Sequence, residues 1–240
     1  MPEVTLAVVR EIPVRAVAVY AHPDDADVSC GGTLALWSGH GCEVRLVVCA
    51  QGDKGATERV ADVERLVDVR RAEVAAAALE LGIASVDHLG RPDGEVENDV
   101  SLRRDLVRVI RDARAEVVIC PDPTAVFFGE HYFNHHDHRA VGWAALDAVF
   151  PAASSPLYFP DAGEAWPVRH VFLSGSLEAN VAVDVTSVIE RKADAVRCHR
   201  SQLGEEGEWF GEAVRDRAEE AGRLGGVAFA EAFRRVTLGQ

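Results

Sequence analysis

The sequence contains no long apolar segment and carries little positive charge. Its longest apolar stretches, such as Val14–Ala21, are far too short to cross a bilayer, and Met1–Glu3 does not begin a signal peptide. A formal net charge of -14, without a cluster of Lys or Arg, opposes the attraction to phosphate that supplies most nucleic-acid affinity. We therefore expect a cytoplasmic protein that binds neither a membrane nor a nucleic acid.

Cysteine is also scarce and follows no pattern. The chain has five cysteines, an odd number, and no Cys-x-x-Cys spacing, which argues against a disulfide framework. We expect these residues to be small, buried and reduced. With 48% hydrophobic and 27% charged residues over 240 positions, the sequence is typical of a globular protein that can bury a proper core.

Short β-branched runs alternate with longer amphipathic stretches through the first half of the chain. The predicted strands cover 14–21, 43–50, 85–89 and 117–120, and the predicted helices begin near Gly32 and cover about 61–81 and 100–114. The first two strands are apolar almost throughout, which fits strands that are buried on both faces. The alternation predicts a Rossmann-like, doubly wound α/β fold with a mostly parallel sheet and helices on both faces.

The second half of the chain departs from this alternation. After a helix that begins near Asp137, a proline-rich segment at about 150–167 predicts a loop excursion. The elements predicted after it are strands at 170–173 and 181–185, a helix at about 187–200 and an acidic helical tail at about 205–240. The tail is a solvated face, a subunit contact or a lid. Single α/β domains of this length are common and we find no internal repeat, so we expect a single domain over 1–240, with two domains as the alternative.

Three side chains that can bind metals or protons follow the first predicted strand. They are His22, Asp24 and Asp25, and Pro23 fixes a rigid turn among them. In open α/β sheets, ligands bind at the carboxyl ends of the strands, so this turn faces the expected active-site crevice. His22 and Asp25 can converge on one ion while Asp24 points past it. Alternatively, an aspartate caps the following helix and His22 is a structural histidine.

A second cluster, His135-His136-Asp137-His138, follows the fourth predicted strand and its loop. Histidine together with carboxylate is the usual ligand set for zinc or non-haem iron. The two clusters therefore predict a metal site at the carboxyl edge of the sheet. Two imidazoles and one carboxylate leave an open position for water, which a catalytic zinc site needs.

These motifs and their order resemble the PIG-L/LmbE-like family of zinc-dependent de-N-acetylases, which act on N-acetylglucosaminyl groups. The matching segments are His22-Pro23-Asp24-Asp25, Gly31-Gly32-Thr33, Gly52-Asp53-Lys54-Gly55, Arg70-Arg71-Ala72-Glu73 with Leu81-Gly82, and His135-His136-Asp137-His138. The chain departs from the family at Ala26, where Glu is common, and at His136, where Pro is common. Both departures keep the expected ligands and leave the substrate open.

The resemblance implies a metal centre and a base. His22, Asp25 and His138 would bind Zn²⁺, with Fe²⁺ as an alternative ion because similar ligand sets bind both metals. Asp24 would be the general base that takes a proton from metal-activated water.

The resemblance also implies roles for residues around the metal. His135 would stabilise the oxyanion or protonate the leaving amine, with Asp137 orienting its ring, and His136 is the alternative for this work. Arg70 and Asp93 match family positions that line the substrate pocket, where they would bind hydroxyls or a phosphate. A plain Pro-Asp-Gly turn explains Asp93 equally well.

The expected activity is therefore removal of an N-acetyl group from a small amino-sugar substrate. Two alternatives are a non-haem Fe(II) oxygenase with the same ligands and a Rossmann-like binding module without chemistry. Such oxygenases usually have β-barrel folds, and the Gly-x-Gly-x-x-Gly turn of a dinucleotide-binding module is absent after the first strand. His199 is either a late family element or a helix-terminal histidine that the dipole favours. A homo-oligomer would suit a small cytoplasmic enzyme.

Overall fold

The computed structural model describes residues 5–55, 62–204 and 207–239, and an eight-stranded sheet forms its centre. The strands in chain order are β1 (Ala7–Val9), β2 (Arg15–Tyr20), β3 (Glu43–Ala50), β4 (Ser85–Arg91), β5 (Val117–Pro121), β6 (Phe127–Phe128), β7 (Tyr132–Phe133), β8 (His170–Ser174), β9 (Val181–Asp184) and β10 (Ala230–Thr237). Their order across the main sheet is β1-β9-β10-β8-β5-β2-β3-β4, and β6 and β7 form a separate hairpin.

Helices connect most of these strands. They are α1 (Asp25–Gly39), α2 (Val63–Leu81), α3 (Val100–Ala113), α4 (His136–Asp147), α5 (Ile189–Arg197), α6 (Arg200–Leu203) and α7 (Gly207–Gly225). A short π-helical segment, Ala148–Ala153, continues α4 into the predicted loop excursion. In the part of the chain that the structure describes, no helix is both long and apolar enough to cross a membrane.

The centre of the sheet is parallel and covered on both faces. β2 pairs in parallel with β3 and β5, β3 pairs with β4, and β5 pairs with β8. Val17 and Val19 of β2 pack into the core that α3 and α4 complete, whereas Ala18 and Tyr20 pack into the core beneath α1. The predicted doubly wound, mostly parallel fold with helices on both faces is confirmed.

The predicted helical tail is wrong in its last part. α7 is a helix, but Ala230–Thr237 forms β10, which lies antiparallel between β8 and β9. Phe233 is fully buried in this strand, and Glu231 forms a buried ion pair with Lys192 of α5. Lys192, the partner of Glu231, is distant in the sequence. The charged residues of the strand therefore looked like those of a solvated helix. The first two residues and the last residue of the predicted tail lie outside the described ranges.

α1 begins at Asp25, well before the predicted start near Gly32. Gly32 lies inside the helix, where an added Cβ would come within 2.9 Å of the Val185 side chain. The backbone N–H groups of Gly32 and Thr33 donate to the Glu231 carboxylate at 2.9 and 2.7 Å. The glycine motif therefore permits close packing and binds an internal carboxylate, while the true helix start carries Asp25.

Candidate metal and catalytic site

Two neighbouring strands bring the two predicted clusters together. β2 ends at Tyr20, and the turn that contains His22 leads directly into α1 at Asp25. β5 pairs with β2, and the chain after β5 returns through the β6–β7 hairpin to His135 at the start of α4. The His22 N–H donates to Asp25 Oδ2 at 2.7 Å and fixes the first turn. Both clusters thus meet at the carboxyl edge of the sheet.

Three potential ligand atoms converge at this edge. Asp25 Oδ2 lies 3.3 Å from His22 Nδ1, and Asp25 Oδ1 lies 3.1 Å from His138 Nε2. The two imidazole nitrogens are 3.2 Å apart. These three residues form a group that could hold a metal ion, with the two imidazoles and one carboxylate that a catalytic centre uses.

The second nitrogen of each imidazole has a separate acceptor. His22 Nε2 lies 3.0 Å from Asp93 Oδ1 and 3.2 Å from Asp137 Oδ2, and His138 Nδ1 lies 3.0 Å from Asn134 Oδ1. Because oxygen acceptors hold these nitrogens protonated, the lone pairs of neutral His22 and His138 stand on Nδ1 and Nε2 respectively. Those are the nitrogens that face Asp25, so the donor set fits a metal ion.

The charges around His22 also favour a cation. Burial lowers the pKa of His22, but the charge of Asp25 and hydrogen bonds to Asp137 and Asp93 raise it to about 12. Burial likewise opposes the charge of Asp25, yet the adjacent imidazoles His138 and His22 hold the pKa of Asp25 well below its usual range. A site that favours positive charge so strongly also favours a divalent cation, which would displace the protons.

Asp24 lies beside this group without joining it. Its carboxylate Oδ2 accepts a hydrogen bond from Gln202 Nε2 at 2.8 Å, and its side chain makes no capping hydrogen bond to α1. Burial and the charge of Asp25 raise the pKa of Asp24. Asp24 thus stands at the N-cap position of α1, but its side chain does not cap the helix.

Among the described residues, the Asp137 carboxylate makes no hydrogen bond to the His135 ring, although the two side chains belong to one group of closely spaced ligand atoms. The expectation that Asp137 orients His135 stays a prediction. The Asp137 side chain is fully buried and accepts from the backbone N–H groups of Gly94 and Val96 at 2.7 and 3.2 Å, besides contacting His22. The His135 ring is held instead by the backbone, since the Asp137 N–H donates to His135 Nδ1 at 3.2 Å. The loop after β4 binds the carboxylate because it offers two backbone amides that need acceptors.

His135 and His136 differ in where their rings lie. The ring centroid of His135 is 4.8 Å from that of His22 and 5.5 Å from that of His138. His136 is half exposed, and its Nε2 lies 3.6 Å from Glu97 instead. The structure therefore brings His135 to the metal cluster and leaves the alternative residue His136 outside it.

The two predicted substrate-binding residues have different surroundings. Asp93 is nearly buried, and besides its contact to His22 its N–H donates to Asp53 Oδ1 at 2.9 Å. Arg70 is 2% exposed and lies under the glycine loop, where its Nη1 donates to the Gly52 carbonyl at 2.5 Å. Its Nε and Nη2 are buried without a hydrogen-bond partner in the described part of the chain. Asp93 is thus more than a turn residue, and Arg70 keeps unused donors.

Sequence reasoning missed the supporting residues of the site. Asn134 directly precedes the second cluster, but its hydrogen bond to His138 depends on the chain path through the hairpin. His199 lies at a helix terminus, as one alternative expected, but it is buried there, and its Nε2 lies 2.5 Å from Asp27 Oδ2. The resemblance of this segment to a late family element was the only signal of a role for His199.

A family model and a curated relative both indicate similarity to deacetylases. A family model described as PIG-L, GlcNAc-PI de-N-acetylase, matches residues 17–149. The chain is 31% identical to 1D-myo-inositol 2-acetamido-2-deoxy-alpha-D-glucopyranoside deacetylase 2 of Saccharopolyspora erythraea, over 82% of this chain and 87% of that protein.

Solved structures with this fold include enzymes of two reaction classes. The N,N'-diacetylchitobiose deacetylase from Pyrococcus horikoshii superposes with a TM-score of 0.85 and 27% identity, over 94% of this chain and 84% of that one. The 4-carboxy-2-hydroxymuconate hydratase from Pseudomonas putida has a TM-score of 0.78 and 22% identity, over 94% and 97% of the two chains. The second likeness extends to the fold alone.

Proposed function

The chain belongs to the PIG-L family of GlcNAc-PI de-N-acetylases, and from this membership we propose a metal-dependent hydrolase that removes an N-acetyl group from a small amino-sugar substrate. The convergence of His22, Asp25 and His138 is the observation that carries the proposal. Neither alternative is favoured. The sheet is not the β-barrel of an oxygenase, and the His-Pro-Asp-Asp turn stands where a binding module would have its glycine turn.

The metal centre would be built from His22 Nδ1, Asp25 and His138 Nε2, with zinc as the proposed ion and Fe²⁺ as the alternative. A divalent cation bound there would supply Lewis-acid polarisation of the acetamide carbonyl and would lower the pKa of a coordinated water. Asp137 and Asn134 would keep the two imidazoles in the orientation and tautomer that the ion needs.

Asp24 and His135 would carry the proton transfers and the oxyanion. The Asp24 carboxylate takes a proton from the attacking water and passes it to the departing amine nitrogen, which is a poor leaving group until it is protonated. His135 Nδ1 accepts from a backbone N–H, so a neutral ring carries its proton on Nε2. That Nε2–H would donate to the oxyanion as the carbonyl carbon becomes tetrahedral.

The relatives support an acetamido-glucose unit as the reacting group. The names of the Saccharopolyspora and Pyrococcus enzymes both describe a deacetylase, one for a 2-acetamido-2-deoxy-glucopyranoside of inositol and one for diacetylchitobiose. We propose that Asp93 and Arg70 bind the sugar, because Asp93 adjoins His22 and because two donors of Arg70 have no hydrogen-bond partner among the described residues. What is attached to the sugar is the property in which the relatives differ.

We also propose that the enzyme works in the cytoplasm on a small molecule. All five cysteines are free thiols, which fits a reducing compartment. Assembly into a homo-oligomer stays a prediction.

Acetate release tests the proposed function. Metal-stripped protein, with zinc or Fe²⁺ added back, is assayed with N-acetylglucosamine, N,N'-diacetylchitobiose, the acetamido-glucopyranoside of inositol, and N-acetylcyclohexylamine as a non-sugar control. We expect metal-dependent acetate release from one or more sugars and none from the control. Metal binding without any acetate release, or metal-dependent oxygen consumption, would refute the proposal.

A further inference from the structure

The segment Cys198–Gln202 lies outside the metal cluster, yet it contacts the proposed base. Gln202 Nε2 donates to Asp24 Oδ2 at 2.8 Å. No other side chain of the described ranges donates a hydrogen bond to this carboxylate. The orientation of Asp24 therefore depends on where this segment is held.

Two further contacts hold the segment in place. His199 Nε2 lies 2.5 Å from Asp27 Oδ2, and the two side chains are only 1% and 2% exposed. Ser201 donates twice to Glu73 of α2, from its backbone N–H at 2.7 Å and from its hydroxyl at 2.6 Å. Each contact joins the segment to a different helix of the domain.

The buried His199–Asp27 pair holds the segment firmly because separating the two side chains costs free energy. A buried carboxylate without a partner is costly, and His199 supplies the partner of Asp27 Oδ2. If the segment moved away from α1, Asp27 would lose this partner, and its Oδ1 already lacks a hydrogen-bond partner among the described residues. The segment is therefore fixed against α1, and Gln202 is fixed with it.

The contacting residues have the same spacing in α1 and in the segment Cys198–Gln202. Asp24 and Asp27 are three residues apart at the start of α1, and His199 and Gln202 are three residues apart across α6. Side chains at this spacing lie on the same face of a helix. The contact of His199 with Asp27 and the contact of Gln202 with Asp24 therefore lie three residues apart on both segments.

We propose that Gln202 is a positioning residue for Asp24, anchored by His199 and Ser201; this inference rests on the proposed role of Asp24 as the base. The Gln202 amide holds Asp24 Oδ2 and leaves Oδ1 as the oxygen that accepts the proton of the attacking water. Glu73 and His199 then serve the same purpose: by holding the segment, they fix the orientation of the Asp24 carboxylate.

The test is the Gln202→Met variant, which keeps the length of the side chain and removes its donors. It is assayed with the compound of the acetate-release panel that is hydrolysed fastest. We expect kcat to fall about tenfold or more, as for a lost hydrogen bond to a charged group, with KM and metal content unchanged. Arg200→Ala, which truncates an exposed side chain of the same short helix, is the matched control and should keep wild-type kcat.

The same substitution in an Asp24→Asn background separates positioning from a general structural effect. If Gln202 acts through the Asp24 carboxylate, Gln202→Met leaves the residual rate of Asp24→Asn unchanged. An equal drop in both backgrounds, or wild-type kcat for Gln202→Met, overturns the inference. Full activity of Asp24→Asn itself would instead refute the proposed function, so the two failures are distinguishable.

Discussion

Each of the two histidines in the candidate metal site presents one ring nitrogen to Asp25 and gives the other to an oxygen acceptor. His22 has Asp137 and Asp93 as acceptors, and His138 has Asn134. Such partners fix the tautomer and raise the basicity of a ligand. Asp137 is thus better placed to control the metal than to tune His135.

Asp137→Asn should weaken metal binding about 10- to 100-fold, the usual effect of losing such a partner. Chelator competition with zinc measures the affinity. His135→Gln is the matched control, and it should lower the rate of acetate release with zinc affinity unchanged. Wild-type zinc affinity in Asp137→Asn, with a rate as low as that of His135→Gln, would support the prediction that Asp137 acts through His135.

The candidate ligands could be predicted from the sequence, but their hydrogen-bond partners could not. His22, Asp25 and His138 follow strand ends, and the rule that strand ends meet in parallel sheets brings them together. The acceptor that Asp137 reaches depends on the path of the loop after β4, whose amides attract its carboxylate. No local pattern encodes that path.

At the element scale, the segment after α5 is joined to α1 by the His199–Asp27 contact. Burial lowers the pKa of His199, but the hydrogen bond and charge of Asp27 raise it above the usual histidine value. A raised pKa in the folded state stabilises the fold fully below the pKa of unfolded histidine. That contribution is lost as the pH rises through the folded-state value.

The stability advantage of wild type over His199→Asn should therefore be larger at about pH 6 than at about pH 9. Urea unfolding at both pH values measures it. His131→Asn, at an exposed histidine of the β6–β7 hairpin, is the control for removing an imidazole that lies outside this contact. An advantage that grows with pH would mean that His199 is neutral in the fold.

The central strands were predictable because β2 and β3 are apolar almost throughout, as strands buried on both faces must be. β10 was not, since its charged residues fit a solvated helix until Lys192 is known to face Glu231. β1 and the β6–β7 hairpin are too short to produce a periodic signal.

At the scale of the whole molecule, β10 closes the gap between β8 and β9 and connects the end of the chain to α1 and α5. Glu231 makes this connection, because its carboxylate accepts from Lys192 Nζ at 2.6 Å and from the amides of Gly32 and Thr33. One buried carboxylate thus links β10 to both helices.

Glu231→Gln should destabilise the protein by about 3–5 kcal/mol, because it leaves the Lys192 charge buried and unpaired. Urea unfolding gives the free energy. Glu219→Gln, on the exposed face of α7, should have no measurable effect, and Lys192→Met added to Glu231→Gln should recover part of the loss. Equal stability of Glu231→Gln and wild type would show that the ion pair is dispensable.

The fold does not determine the reaction, since a deacetylase and a hydratase both superpose on this chain. The central claim is therefore that His22, Asp25 and His138 bind the metal, whereas Asp24 acts as the base and not as a ligand. Acetate release by Asp24→Asn, with its metal content measured in the same sample, tests that claim most directly. Retained metal with a rate lower by about 10²- to 10⁴-fold is the predicted result. An undiminished rate, or loss of the metal, would contradict it.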